Sequence, residues 1–125
     1  MILIVDDHPD SCDVLRRLLV LSGHRDVACV YSGEDALDYV RSSHKPTVMV
    51  LDYMMPGMTG LDVLRELRAH PEFGDVAVVF YSADVTGRAA SAARMLGAKA
   101  WMTKGGVAWP DLLDTIGAME AGTHA

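Results

Sequence analysis

A chain of 125 residues with 50% hydrophobic and 6% aromatic content fits one domain with an aliphatic core, burying roughly two thirds of its extended surface without disulfide staples. Eleven basic against seventeen acidic residues give a net charge of −6, which argues against the phosphate backbone of nucleic acid as the main partner. Two cysteines, Cys12 and Cys29, are too few for a disulfide framework and lack metal-ligand spacing, and no apolar run approaches the roughly 20 residues needed to span a bilayer.

Met1 runs straight into Ile2-Leu3-Ile4-Val5 with no basic leader, so a soluble chain in a reducing cytoplasm is expected. The first apolar run, 1–5, has the length of a strand. The helix after it starts at Pro9, a favoured first position, sets Val14, Leu15, Leu18, Leu19 and Leu21 on one broad stripe and stops at Gly23. A second run, 27–30, leads to a helix opened by the capping-box-like Ser32-Gly33-Glu34-Asp35, carrying Ala36, Leu37 and Val40 and ending before Pro46. A third run, 48–51, precedes a helix after Gly60 with Leu61, Leu64 and Leu67 inward and Arg65, Glu66 and Arg68 outward. A fourth, 76–81, precedes an alanine-rich helix from about Thr86 to Leu96, ended by Gly97. A weaker fifth, 100–102, precedes a helix starting at Pro110 with Leu112, Leu113, Ile116 and Met119 on its apolar face.

Unbroken rather than alternating hydrophobicity marks strands buried on both faces, as in parallel sheets covered by helices. Five strands alternating with five helices make a single (βα)5 α/β domain, a doubly wound parallel sheet over residues 1–121, with a frayed tail at 122–125.

Ligands of open α/β sheets bind beyond the carboxyl ends of the strands, so the residues after each apolar run carry the functional information. Asp6 and Asp7 follow the first, Asp52 the third, Ser82 the fourth and Lys104 the fifth. Each alone has a plain structural reading: helix-dipole acids for Asp6 and Asp7, a turn residue for Asp52, a helix cap for Ser82, a solvated surface charge for Lys104. Together they are different. Three carboxylates at one edge repel one another unless a cation joins them, and Mg2+ with oxygen ligands suits a small open site. A metal held by carboxylates beside a lysine and a hydroxyl handles phosphate, and Asp52 is the candidate nucleophile for an aspartyl-phosphate.

The segments Ile2-Leu3-Ile4-Val5-Asp6-Asp7, Leu51-Asp52-Tyr53-Met54-Met55-Pro56-Gly57-Met58-Thr59-Gly60, Tyr81-Ser82-Ala83 and Lys104 resemble the receiver domain of bacterial two-component response regulators. The resemblance covers essentially the whole chain. It implies the flavodoxin-like strand order 2-1-3-4-5 and a phosphorylation-activated switch that catalyses its own phosphorylation and dephosphorylation without being a dedicated enzyme. Asp52 would accept a phosphoryl group from a sensor histidine kinase or phosphotransfer protein. Asp6, Asp7, Asp52 and the Met54 backbone carbonyl would serve Mg2+, Lys104 would pair with the phosphoryl group, and Ser82 and Trp101 would form the switch. The face of the fourth helix, fifth strand and fifth helix would change for a downstream protein, output domain or second copy, with no membrane or nucleic acid bound directly.

Two departures from the family pattern bear on that expectation. Lys104 is followed by Gly105-Gly106 where the family has proline, so a trans peptide or a remodelled loop is expected there, a non-proline cis bond costing about 2.5 to 4 kcal/mol. Trp101 stands where tyrosine, phenylalanine or histidine is usual. These departures motivate the alternative of a phosphorylation-independent interaction module on the same fold. A dedicated phosphatase would want an aspartate where Met54 sits, and a flavin carrier would suffer from Asp7 and Asp10. His8, His24, His44, His70 and His124 read as surface residues, with His8 singled out because it follows Asp7; the methionines read as packing, and Arg88 and Arg94 as a solvated helix face or a partner surface.

Overall fold

Each uninterrupted aliphatic run forms a strand. In the computed structural model, which describes residues 1–42, 45–83, 87–104 and 108–122, these are β1 (Ile2–Val5), β2 (Val27–Val30), β3 (Val48–Leu51), β4 (Ala77–Ser82) and β5 (Ala100–Thr103). They pair in parallel in the order β2-β1-β3-β4-β5, as the resemblance implied. The helices are α1 (Pro9–Leu21), α2 (Gly33–Ser42), α3 (Gly60–Ala69), α4 (Gly87–Met95) and α5 (Ala108–Gly122). Among the described residues no helix is long and apolar enough to cross a membrane.

Alternate strand side chains divide the core into two layers. Leu3, Val5, Met49, Leu51, Val78 and Phe80 face α2, α3 and α4, where Leu37, Val40, Val63, Leu64 and Leu67 meet them. Ile2, Ile4, Val48, Val50, Val79 and Tyr81 face α1 and α5, against Leu15, Leu19, Leu112 and Ile116. Phe80 is wholly buried, and truncating such a side chain costs about 3 to 5 kcal/mol.

Some boundaries differ from those the sequence suggests. Helix α5 begins at Ala108 rather than Pro110, so the proline stands in the first turn, where its missing N–H costs no bond. Strand β4 runs on to Ser82 because its pairing with β5 extends to Ser82 opposite Thr103. A single 3-10 turn, Pro71–Phe73, joins α3 to β4. Ser32 Oγ accepts the Asp35 N–H at 3.0 Å, whereas the Glu34 carboxylate accepts from Met58 N–H at 3.2 Å. The complete capping box lies at α3, between Thr59 and Asp62.

Arg68 corrects an expectation. It does not point into solvent but donates to the carbonyls of Leu96 at 2.9 Å, Val76 at 3.2 Å, and Gly74 and Gly97 at 3.4 Å. Three connecting-segment residues and the one after α4 leave carbonyls at the amino end of β4 and β5, and a planar guanidinium satisfies them together.

Candidate functional site

The sheet ladder continues one rung past the strands and so fixes the residues that follow them. Asp6 N–H donates to Val30 O at 3.2 Å, Asp52 N–H to Val5 O at 2.9 Å, and Lys104 N–H to Ser82 O at 2.8 Å. Parallel pairing thereby brings four sequence-distant segments to one edge. The loop after β3 is shaped by glycine: Gly57 has φ of 75°, and a Cβ on Gly60 would meet the Asp52 carbonyl at 2.4 Å. Only glycine at 60 lets the start of α3 close down on the backbone of Asp52.

Asp6 and Asp52 are buried at 4% exposure each, and Ser82 is wholly buried. Lys104 Nζ, its side chain 18% exposed, lies 2.5 Å from Asp6 Oδ2 and 3.4 Å from Asp52 Oδ2. The reading of Lys104 as a solvated surface charge is therefore excluded. Its ammonium also sits 5.9 Å from the centre of the Tyr81 ring, within cation–π range. Ser82 hydrogen-bonds the Asp52 carboxylate. His8 reaches back, its N–H donating to Asp6 Oδ1 at 2.9 Å while Nδ1 stands 3.3 Å from that oxygen and 3.1 Å from Asp7 Oδ1.

Burial pushes the Asp52 carboxyl above the ordinary carboxylate range; Lys104 opposes the shift and Asp6 adds to it, with the Ser82 hydrogen bond pulling the other way. Burial alone would pull the Lys104 ammonium down, yet the hydrogen bond to Asp6 and the charges of Asp52 and Asp6 raise it above its usual value. The lysine is therefore charged at neutral pH. One ammonium pairs with two carboxylates, Asp6 and Asp52, and leaves the third, Asp7, to His8.

The donor set suits a hard divalent cation. Ligand atoms of Asp6, Asp7, His8 and Asp52 lie within 4.8 Å of one another. Asp7 Oδ1 is buried without a hydrogen bond, because His8 Nδ1 approaches it as an ion contact and not in hydrogen-bonding alignment. A buried carboxylate oxygen left over from the hydrogen-bond network is what an oxygen-seeking cation would use.

The response regulator receiver domain family matches residues 2–116. This chain belongs to that family. It is also 41% identical over 124 residues to the sensory/regulatory protein RpfC of Xanthomonas campestris pv. campestris, a match covering 98% of this chain and 17% of that protein. The chain thus spans less than a fifth of the length of such curated relatives. Two solved structures align with a TM-score of 0.86: the signal receiver domain of a DNA-binding response regulator from Colwellia psychrerythraea 34H, at 27% identity over 96% of this chain and 97% of that one, and a response regulator receiver protein from Pseudomonas putida, at 26% identity over 94% of each. Receiver domains are modules of two-component systems, and their general function is phosphorylation-dependent switching.

Within this receiver, Asp6, Asp7, Asp52, Ser82 and Lys104 come together as the strand ends suggested. Trp101, the expected switch residue, lies against β4. Its half-buried indole stacks on Phe80 with centroids 4.8 Å apart and lies 5.6 Å from Tyr53. The Met54 side chain is 58% exposed and that of Met95 89%, so these two methionines are surface residues and not packing, unlike Met49 and Met55. Gly105, Gly106 and the peptide bond into them, and also Asp84, His44 and His124, lie outside the described residues. Sequence reasoning missed Tyr81, whose ring underlies Lys104 and contacts Trp109 at 5.4 Å. Its place just before Ser82 at a strand end was the available signal.

Proposed function

We propose that this receiver takes a phosphoryl group on Asp52 from a phosphohistidine of a sensor histidine kinase or phosphotransfer protein, and that phosphorylation alters the α4, β5 and α5 face. The observation that carries this reading is the buried Asp52 carboxylate between the Ser82 hydroxyl and the Lys104 ammonium, beside two further carboxylates. As nucleophile, a carboxylate oxygen of Asp52 attacks phosphorus while the P–N bond to the donor imidazole breaks. Lys104 shifts from its carboxylate partners to a phosphoryl oxygen, and Ser82 donates its O–H to another.

Asp6, Asp7, Asp52 and the Met54 carbonyl would hold Mg2+, which when bound neutralises charge on the transferring phosphoryl oxygens. An open groove of about 320 Å³ bordered by Asp10, Ser11, Val14, Tyr81, Lys104 and Trp109 gives a donor imidazole its approach. Val14 on that border is 46% exposed, an apolar contact for a helical partner. Intact mass after acetyl phosphate and Mg2+ tests the reading: the native chain gains one phosphoryl group and Asp52→Asn gains none. Equal uptake by both would refute it.

Trp101 gives the second reading its one observation. An indole already stacked on Phe80 can be a fixed part of the partner-binding face, as in a phosphorylation-independent interaction module. In a Trp109→Phe protein with beryllofluoride and Mg2+, a shift in Trp101 emission supports the switch, and an unchanged spectrum with the mimic bound supports the fixed face.

A further inference from the structure

Two thiols outside the acidic pocket have found each other across elements. Cys12 on α1 is wholly buried, whereas Cys29 lies on β2, the edge strand of the sheet, and is only half-buried. Cys29 Sγ is 3.6 Å from the Cys12 carbonyl oxygen, and the two side chains also hydrogen-bond one another. On the other side, Cys12 Sγ is 3.6 Å from the carbonyl of Asp6, the residue that presents its carboxylate to Lys104. A single buried cysteine acts as a small apolar filler. A contacting pair, with one member at an edge that small molecules can reach, has a chemistry that a filler lacks.

We propose that Cys12 and Cys29 form a reversible intramolecular disulfide when the protein meets a hydroperoxide, tying α1 to β2 beneath the acidic pocket. Cys29 is the attacking sulfur. It is the less buried member and stands on the edge strand, within reach of a peroxide, whereas Cys12 is wholly enclosed. The Cys29 thiolate attacks the outer peroxide oxygen; the O–O bond breaks, the leaving oxygen takes up the thiol proton, and Cys29 becomes a sulfenic acid. The Cys12 sulfur then attacks the Cys29 sulfur, the S–S bond forms as the S–O bond breaks, and the departing hydroxide takes the Cys12 proton as water. Two thiols lose two electrons and two protons together, and one hydroperoxide becomes an alcohol and water, or two waters when it is hydrogen peroxide.

The test is intact mass and unreduced peptide mapping of the folded, reduced chain before and after hydrogen peroxide. The expected result is a loss of two hydrogens (about 2 Da), reversed by dithiothreitol, with the Cys12 and Cys29 peptides joined within one chain. Cys29→Ser should abolish that loss. Cys12→Val, which keeps the buried volume filled should Cys12→Ser fail to fold, should leave Cys29 to gain oxygen instead. An unchanged mass in the native chain, oxygen added at Cys29 without the loss of hydrogens, or a cross-link only between two chains would each overturn the proposal.

Discussion

The two ends of this sheet solve the same problem in opposite ways. At the amino end the loose polar groups are carbonyl oxygens before β4 and β5, and the Arg68 guanidinium binds four of them. Thr47 closes the same end, donating to the Met1 carbonyl at 3.0 Å while accepting from the terminal ammonium at 3.3 Å. At the carboxyl end Lys104 pairs with Asp6 and Asp52, the His8 imidazole meets Asp6 and Asp7, and Asp7 Oδ1 is left without a hydrogen bond. One end is satisfied within the chain. The other keeps a carboxylate oxygen without a hydrogen bond, which fits the proposed binding of a cation and a phosphoryl group there.

The largest effect should come from breaking the satisfied end. Arg68→Ala strands carbonyls in partly buried surroundings and should cost about 2 to 4 kcal/mol by urea unfolding, with Arg68→Lys recovering only part because an ammonium cannot span the same fork. A loss within experimental error would show that water replaces the guanidinium freely.

Next is the deficit at the carboxyl end. A cation bound only by the native state stabilises it by about 1.4 kcal/mol at ten times its Kd, so Mg2+ should raise the melting temperature of the native chain. Asp7→Ala should blunt that rise. An equal response in both would remove Asp7 from the metal site.

A smaller effect follows from Asp52 without metal. Its folded-state pKa is raised above the unfolded value, so the native state favours the protonated carboxyl. The cost of ionising it is absent below the ordinary carboxylate value, develops as pH rises toward the raised one, and is constant beyond it. Metal-free Asp52→Asn should therefore match the native chain in acid and exceed it in melting temperature at neutral pH. An advantage that shrinks with rising pH would show that ionised Asp52 stabilises the fold.

The smallest concerns the lifetime of the phosphorylated state. Met54, two residues after Asp52, is exposed and has no group to orient water. Met54→Asn adds one hydrogen-bonding amide and should hasten dephosphorylation about two- to tenfold, the range one hydrogen bond supplies. An unchanged or slower decay would clear Met54 of any part in it.

The contrast between the ends also marks what could be read from sequence. Val48-Met49-Val50-Leu51 followed by Asp52 announces both a buried parallel strand and a residue at its functional edge, and the same logic locates Asp6, Ser82 and Lys104. The partners within the edge were not legible. Lys104 finds Asp6 across 98 residues and Asp52 across 52, separations on which helical or strand periodicity is silent. Arg68 carries the same message, since it occupies an outward position on the α3 stripe but has a stem long enough to fold back onto carbonyls beyond its own helix. Cys12 and Cys29 meet only because α1 packs on β2. Local pattern specifies elements and edges; the crossovers decide which side chains touch.

The central claim is that the unsatisfied end is completed by a phosphoryl group on one particular carboxylate. Borohydride reduction of the acetyl-phosphate-treated chain converts an acyl phosphate to an alcohol, so peptide mapping by mass spectrometry locates the modified residue. Mg2+-dependent conversion at Asp52 alone, to homoserine, is the expected result. Conversion at Asp6 or Asp7, or none anywhere when Mg2+ is present, would contradict it.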